Sequence, residues 1–568
     1  CLGVTIVFIG YVLVRAANSP VTYLWWIDFY MVLGCLLVYL LTTFYLTGEK
    51  ERAAVIWALL ILAVLEIFVG LRQFSSGDNW LPFGFRRADS GHRASGMLIS
   101  SIHLAGYLET VGPLALSFAI WGAWKNGVRI LSGYIATMCY LGIAITGSRG
   151  GYISALFSLL VFVAISLFNV KRTRPKKFRT ALLVTTFVLG LSVFGAITLM
   201  LKSDLLRERL SMIPQQFEKN GLDIRIYNWQ AALDQFRESP MIGTGAGTHI
   251  YYGRFFRRPP LQSDPIHAHS DYLELLAEYG IVGAVGMAAF LAVHLYFGWR
   301  NQRMVLRQHV LELREGEPAR HNSLALYTGV LTAIAAMAAH SVVDFNMHIP
   351  GHAMIFAFLF GTLASPVYGS DPKATKWMPL RFALPVLGFW IFFSALSRFP
   401  AEYWAEKARV ALRGDNFDES IAYAARALEL DRLSPELFFT LGGAHRGAAI
   451  VSEKPIDAYH HLKAATDAYY EGLVLFPQDS HMLVRLGETL TALAQFGDAE
   501  EAFRAAAKID PNHGRVHAYY AWYLASVGRE KEAEEQYAKA KSLAHGDDLS
   551  TIVRGTSLDP KAGAAGPY

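Results

Sequence analysis

An all-α chain in two parts, a polytopic membrane helical bundle followed by a water-soluble helical repeat, is predicted by three observations. The 568 residues are 53% hydrophobic and only 17% charged, with a mean hydropathy of +0.28, too apolar for one large soluble enzyme. Residues 1–397 hold the long apolar runs. Residues 398–568 are rich in Ala, Glu, Lys, Arg and Tyr and contain no run long enough to cross a bilayer. The formal charge of +5 is small for this length and does not mark a nucleic-acid binder. Cys1, Cys35 and Cys139 all lie in apolar segments, so neither a disulfide framework nor a cysteine-based metal site is indicated. The chain opens on an apolar stretch without an initiator Met, which reads as a span and not as a cleaved signal peptide. Its true start is expected to lie upstream.

Spans need about 20 mostly apolar residues. Eleven candidates follow in order: 1–16, 22–46, 53–71, 97–122, 128–147, 150–169, 180–201, 279–298, 323–345, 352–367 and 379–397. The connections assign their sides by Lys and Arg content. Residues 170–179 carry six positive charges, and 299–321 contain Arg300, Arg303, Arg307, Arg314 and Arg320. Lys50 and Arg52, Lys125 and Arg129, and Lys373 and Lys376 mark three further loops. Counting spans, all five segments fall on one side, which makes that side the cytoplasm. The opposite face receives 72–96, the turn near 148–150, the long 202–278 segment, the 346–351 turn and the C-terminal domain. A bacterial inner membrane, with these parts in the periplasm, fits that arrangement.

The C-terminal region repeats. Leu486, Gly487, Leu490, Ala499, Phe503, Ala506 and Pro511 form one unit; Ala521, Leu524, Ala533, Tyr537 and Ala540 match the next, displaced by 34 residues. Upstream, Ala408, Ala411, Ala424 and Ala427 lead to Leu441 and Gly442. An insertion of about 11 residues around 446–457 keeps Tyr469, Gly472 and Pro477 in phase. This resembles about four tetratricopeptide repeats over 402–545. Each unit is a helix pair that buries its apolar face only by stacking on neighbours. Domain limits of 1–397 and 398–545 follow, with 546–568 as a Gly/Ala/Pro-rich flexible tail.

The face opposite the cytoplasm departs from the charge rule. Arg72, Arg86, Arg87 and Arg93 lie in 72–96, and Arg207, Arg209, Arg225, Arg237, Arg254, Arg257 and Arg258 in 202–278. Arg149 sits in TGSRGG at the lip of a span, where an unpartnered charge is costly. Guanidinium forks match phosphate oxygens, so its partner could be a lipid-linked phosphate. A carboxylate on a neighbouring helix, or lipid headgroups, would serve equally. The glycines of Gly243-Thr-Gly245-Ala-Gly247 do not make a nucleotide loop, since no strand precedes them and no Lys-Ser/Thr follows. A tight turn with close backbone approach fits them better.

Pro265-Ile-His267-Ala-His269-Ser270-Asp271 precedes an apolar helical run, with the Ser/Asp pair as helix start. His269 then stands just before the first turn, where backbone N–H groups favour an anion. Imidazole there could take a proton near neutral pH. It could equally be a structural His on a loop carbonyl, or half of a His-x-His metal site with Asp264 or Asp271, although no third strong ligand is apparent. His340 and Asp344, four apart and on one helical face, either orient a catalytic group or pair with each other.

His269-Ser270, nine residues, then Gly280-Ile-Val-Gly283 is similar to the signature of the O-antigen ligase/O-antigen polymerase superfamily. Arg225 to Trp229 resembles the Arg-rich start of that family's large periplasmic loop, and PMIGTGAGT its Pro-x-x-Gly-x-Gly turn. TGSRGG and His92-Arg93-Ala-Ser-Gly96 resemble its Arg-containing outer loops, and HSVVDFNMHIP the segment after the next span. The resemblance covers about 72–350. Members carry about twelve spans against the eleven counted here, which leaves a missing N-terminal span open.

The resemblance implies a membrane glycosyltransferase of the GT-C type, metal-independent and without a cofactor. It would move a glycan from undecaprenyl pyrophosphate to an acceptor hydroxyl on the periplasmic face. In that frame His269 is the base, and Arg149, Arg225 and Arg93 bind the pyrophosphate. Arg225 shares the catalytic role, while Ser270, His340 and Asp344 stand behind these residues. The expected partners are the lipid-linked donor, a glycan, lipid or protein acceptor, membrane lipids, and a protein or polysaccharide on the repeats; nucleic acid is not among them. Lipid A-core ligation, exopolysaccharide polymerisation and protein O-glycosylation stay open. So do a lipid-linked glycan flippase, which would place charges at mid-bilayer, and a non-catalytic scaffold or receptor.

Overall fold

The computed structural model describes residues 1–20, 22–46, 48–82, 91–98, 100–180, 182–183, 224–315, 321–365, 378–544, 549–554 and 556–557. Within them every regular element is a helix. In chain order these are α1 (Leu2–Ala17), α2 (Thr22–Phe44), α3 (Glu49–Ser76), α4 (Ser101–Trp121), α5 (Asn126–Thr146), α6 (Arg149–Thr173), α7 (Ile224–Glu238) and α8 (His249–Phe255). Then come α9 (Asp271–Arg314), α10 (Ser323–His340), α11 (Pro350–Ala364) and α12 (Met378–Arg413). Seven helices, α3 to α6, α9, α10 and α12, are long and apolar enough to cross a bilayer; α1, α2 and α11 are shorter apolar helices. The expected span at 180–201 lies largely outside the described residues.

The apolar pattern of each helix decides its place in the bundle. α4 and α10 are apolar around most of their circumference and are buried over most of their length, as a helix without a polar stripe must be. They form the centre, joined where Ser117 donates to the Ala325 carbonyl at 2.6 Å. α3, α5 and α6 bury one face only. α12 is peripheral, with Phe382, Val386, Phe389 and Phe393 exposed to the lipid side.

The two ends of the bundle differ in chemistry. At one end Asn322 ties the connections together: its side chain accepts from Ala123 N at 2.8 Å, and its N–H donates to Glu49 at 3.1 Å. Arg52 reaches Ser365 there. This is the end where the Lys- and Arg-rich connections emerge. At the other end the 91–98 loop, the α5–α6 turn, residues 240–270 and residues 341–349 converge.

The glycines of the 243–247 turn and the kink of α9 interlock. α9 breaks at Gly280, whose φ of 66° and ψ of −169° only glycine adopts readily. That opening frees α9 backbone groups, and the turn fills it. Ile281 N and Val282 N donate to Pro240 and Met241, while Thr244 N and Gly245 N donate to Ala277 and Glu278, all within 2.9–3.1 Å. A Cβ on Gly280 would lie 2.5 Å from the backbone of Met241 and Gly243. Gly280→Ala is therefore expected to lower stability by at least about 1–3 kcal/mol, the cost of that backbone region alone. Thermal unfolding in detergent checks it, and an unshifted midpoint would contradict the interlock.

Beyond α12 the helices pair as α13 (Phe417–Leu430), α14 (Pro435–Val451), α15 (Pro455–Leu475), α16 (Ser480–Ala492), α17 (Phe496–Ile509), α18 (Gly514–Ser526) and α19 (Glu530–Leu543). The repeat period shows in the backbone. Asp415, Ala494 and Gly528 each turn a helix pair with positive φ, and 494 to 528 is 34 residues. The 79 residues from 415 to 494 are two such periods plus the 11-residue insertion, which lengthens α14 and α15 to 17 and 21 residues. Gly442 and Gly487 recur because a Cβ there would meet the rings of Tyr469 and Phe503. α12 runs unbroken past residue 397, burying Ala401, Ala405, Ala408 and Ala411 in the first repeat. Past 545, Leu549 and Val553 are buried against Ala518, Ala521 and Tyr537. The end expected to be mobile thus begins as part of the last repeat; residues 558–568 lie outside the described residues.

Candidate active site

α9 starts at Asp271 with Ser270 as its N-cap residue. The Asp271 N–H is shared by the carbonyls of Ser341 (3.0 Å) and Asp344 (3.1 Å), so the helix start is fastened to the segment after α10. His269, just upstream, has a φ of 52°. A non-glycine residue in this region is uncommon and is held by its surroundings. One constraint comes from the Arg225–Trp229 motif, which opens α7: Trp229 Nε1 donates to the His269 carbonyl at 3.2 Å.

The His269 ring is part-exposed, meets the Phe345 ring edge-on at 5.0 Å, and sets Nδ1 3.6 Å from Asp344 Oδ1. That is ion-pair range but beyond a hydrogen bond. Asp344 is buried, with His340 Nε2 3.8 Å from its other oxygen. Burial works to raise the Asp344 carboxyl, but the His269 and His340 imidazoles outweigh it and hold it below the usual carboxylate range. The i,i+4 pairing of His340 with Asp344 expected from spacing is present, yet it is His340's weaker contact. Its Nδ1 lies 2.8 Å from Glu109 Oε1, with both side chains fully buried. Ser154 of α6 donates to the other Glu109 oxygen. A polar chain thus runs from Ser154 through Glu109, His340 and Asp344 to His269, tying α6, α4 and α10 to the loop.

The arginines surround this chain. Arg149 is the first residue of α6, after Ser148, whose side chain accepts from Gly151 N at 3.1 Å. Gly150 lets the turn close on His340, since a Cβ there would lie 3.0 Å from its Nε2. Arg93 Nε donates to the Thr146 carbonyl at 2.9 Å, and Ala94 N to Ile145 at 3.1 Å. The 91–98 loop therefore docks on the turn that carries Arg149. Arg225, at the start of α7, lies within electrostatic reach of His340. Ser270 is buried and makes no side-chain capping bond.

The His-x-His pair does not chelate. His267 turns to Glu274, Nδ1 to Oε1 2.8 Å, while His269 turns to Asp344, and Asp264 is taken by Arg254. A different set gathers instead. His267, Glu274 and His348 offer ligand atoms that all lie within 4.8 Å of one another, and this trio could hold a divalent cation. Without one it is a self-satisfied ion cluster: burial lowers the proton affinity of His348, but Glu274 and Asp271 outweigh it and raise it well above the usual imidazole range. Beside the cluster, an apolar cavity of about 220 Å³ runs between α1, α2, α9 and α11, lined by Phe8, Met31, Leu36, Leu275 and Phe360, with Asp271 and His348 at its polar end.

Arg254, Arg257 and Arg258 do not join the site. Arg258 pairs with Asp234. Arg254 forks onto Asp264 (3.0 and 2.8 Å) and reaches Asp479 at 3.4 Å. Arg257 forks onto Asp510 of the repeats (2.7 and 2.9 Å). Burial would raise the Asp264 carboxyl, but Arg254 outweighs it and holds it at about 2. Burial, with Arg257 and His481 alongside, pushes the neighbouring His513 down to about 3, despite Asp264 nearby and Asp510 at 3.6 Å. Docked repeats therefore bind fewer protons at His513 than undocked ones. Docking is expected to be complete above about pH 6.5 and to weaken as pH falls below it. Crosslinking of the repeats to the loop across a pH series reads this; docking strongest near pH 5 would refute it.

Residues 133–288 match the family model described as O-antigen ligase, a stretch containing Arg149, Arg225, His269 and Gly280. Residues 480–513, α16 with α17, match a tetratricopeptide repeat. Together with seven helices long and apolar enough to cross a membrane, the chain thus carries a stretch similar to the O-antigen ligase family and one similar to a tetratricopeptide repeat. No curated protein matches it. Among solved structures, it is similar to a thermophilic tetratricopeptide-repeat protein of Thermus thermophilus, with 19% identity over 32% of this chain and 95% of that one and a TM-score of 0.26. It is also similar to MamA of AMB-1, with 18% identity over 27% and 97% of the two chains and a TM-score of 0.15.

Proposed function

We propose that this protein transfers a glycan from undecaprenyl pyrophosphate to an acceptor hydroxyl, at the periplasmic face of a bacterial inner membrane. The observation that carries this reading is the polar chain that ends at His269, a residue that falls with Arg149 and Arg225 inside the stretch that matches the O-antigen ligase model. Asp344 beside Nδ1 favours the tautomer whose Nε2 is free to accept a proton. The acceptor oxygen attacks the anomeric carbon and gives its proton to Nε2. The bond from that carbon to the pyrophosphate breaks, its electron pair leaving on the phosphate oxygen. Arg225, Arg149 and Arg93 stabilise the departing anion, and such electrostatic stabilisation usually contributes most to a step of this kind. The apolar cavity at membrane depth suits a lipid-borne substrate, and the Lys- and Arg-rich opposite end suits a cytoplasmic side. Domain limits of 1–397 and 398–545 fit this division of labour.

Purified protein in lipid nanodiscs, given a lipid-linked repeat unit, tests the reading. Longer lipid-linked chains would identify a polymerase, transfer to a different molecule a ligase, and no transfer with any acceptor would end the proposal. The reaction as written uses no metal. Transfer is expected to withstand EDTA, and an EDTA-sensitive activity restored by zinc or manganese would instead put a functional ion at His267, Glu274 and His348.

A further inference from the structure

We propose that the repeat domain is the positioning element for His269, acting through the buried Arg257–Asp510 pair; the inference rests on the transferase reading above. Repeats of this kind usually present a groove to a separate molecule. Here the first thing the repeats grip is the chain's own loop. Arg257 and Asp510 have fully buried side chains. Beyond its fork to Asp510, the Arg257 guanidinium donates to the carbonyls of Leu261 and Ser263. The Gln262 side chain donates to the Asn512 carbonyl at 3.0 Å and accepts from Gly514 N at 2.9 Å; Asn512 returns a bond to the Arg257 carbonyl at 2.7 Å. Arg254 adds Asp479, which also caps α16 by accepting from His481 N and Met482 N. The loop from 254 to 264 is thus held at successive points by the starts of α16 and α18.

What that grip controls follows from chain order. Asp264, held by Arg254 and 3.9 Å from His481 of the repeats, is five residues before His269. Between it and His269, Glu274 of α9 accepts from Ala268 N at 2.8 Å and from His267. His269 therefore follows a stretch held first by the repeats and then by α9, and its own carbonyl accepts from Trp229. Its left-handed backbone is strained and persists only while the surroundings over-determine it. Releasing the repeat clamp removes the first of these holds and leaves His269 dependent on Glu274 and Trp229. A buried ion pair is a poor source of stability next to apolar packing, but it fixes register, because a slipped arrangement leaves a charge buried alone. Register is what a base needs, since a displacement of about 1 Å can lower a rate on the order of 10²-fold.

Asp510→Asn in the full-length protein tests this, with two readouts. Hydrogen–deuterium exchange of the peptide spanning 255–270 should quicken while that of α4 and α10 stays unchanged. In the transfer assay kcat should fall on the order of tenfold to a hundredfold, with KM for the donor little changed. The exchanged pair Arg257→Asp with Asp510→Arg should recover part of both. Gln262→Ala, which leaves the ion pair intact, should shift both readouts the same way by less. Unchanged loop exchange in both single variants, or a released loop with wild-type kcat, overturns the proposal. The exchange arm uses no glycan, so a wild-type protein that transfers nothing but whose loop is released by Asp510→Asn would sink the transferase reading and leave the mechanical link standing.

Discussion

His269→Ala is expected to lower the rate of glycan transfer by about 10²–10⁴-fold while leaving expression and membrane insertion intact. The local structure makes the two effects separable. Next to the ring the segment is held through backbone: Trp229 grips the His269 carbonyl, and Asp271 N is bonded to residues 341 and 344. The imidazole itself is part-exposed and pairs with Asp344. Removing it deletes the proton acceptor and one of the two imidazoles that face the buried Asp344. Arg225→Ala should lower the rate through the leaving group, by about 10²–10³-fold on the analogy of an oxyanion-hole donor. A pH–rate profile separates the two, because loss of the base removes the acid limb and loss of the arginine does not. Near-wild-type transfer by His269→Ala would remove the base assignment.

Glu109→Ala is expected to destabilise the bundle by about 3–5 kcal/mol, the usual cost of breaking a buried pair from one side. His340 would keep its burial between the central helices but lose its 2.8 Å partner, and Ser154 would lose its acceptor. The remaining support for His340 is Asp344 at 3.8 Å, so the orientation of the group beside His269 should be lost as well. Glu109→Gln retains an acceptor for Ser154 and should be the milder variant. Thermal unfolding in detergent, read together with transfer rate, checks this. A midpoint shift no larger than that of a surface substitution would show that the pair carries no structural load.

The sequence discloses those parts of the site whose signals are local, and misses those made by distant partners. Apolar run length and charge asymmetry are enough to order the spans, and a 34-residue period is enough to find the repeats, because both are properties of neighbouring residues. His269, Arg149 and Arg225 stand out through motifs with fixed spacing. Glu109 had a signal of its own, an ionisable residue inside an apolar helix, but its partner is 231 positions away. Glu274 and His348 look like a helix surface residue and a turn residue until the fold stacks them on His267. Arg254 and Arg257 were visible as charge on the face opposite the cytoplasm, yet the repeat carboxylates they reach lie 225 and 253 residues downstream. The fold uses those two arginines at its own junction.

α12 gives the repeats a second fixed point, since one continuous helix passes from the lipid side of the bundle into the first repeat. A hinge would let the soluble half swing, whereas this strut and the loop junction together set both its height above the bilayer and its heading. Adding a single residue to the strut would rotate everything beyond it by about 100°, so the length of that helix is as much a part of the protein's geometry as any side chain near the imidazole.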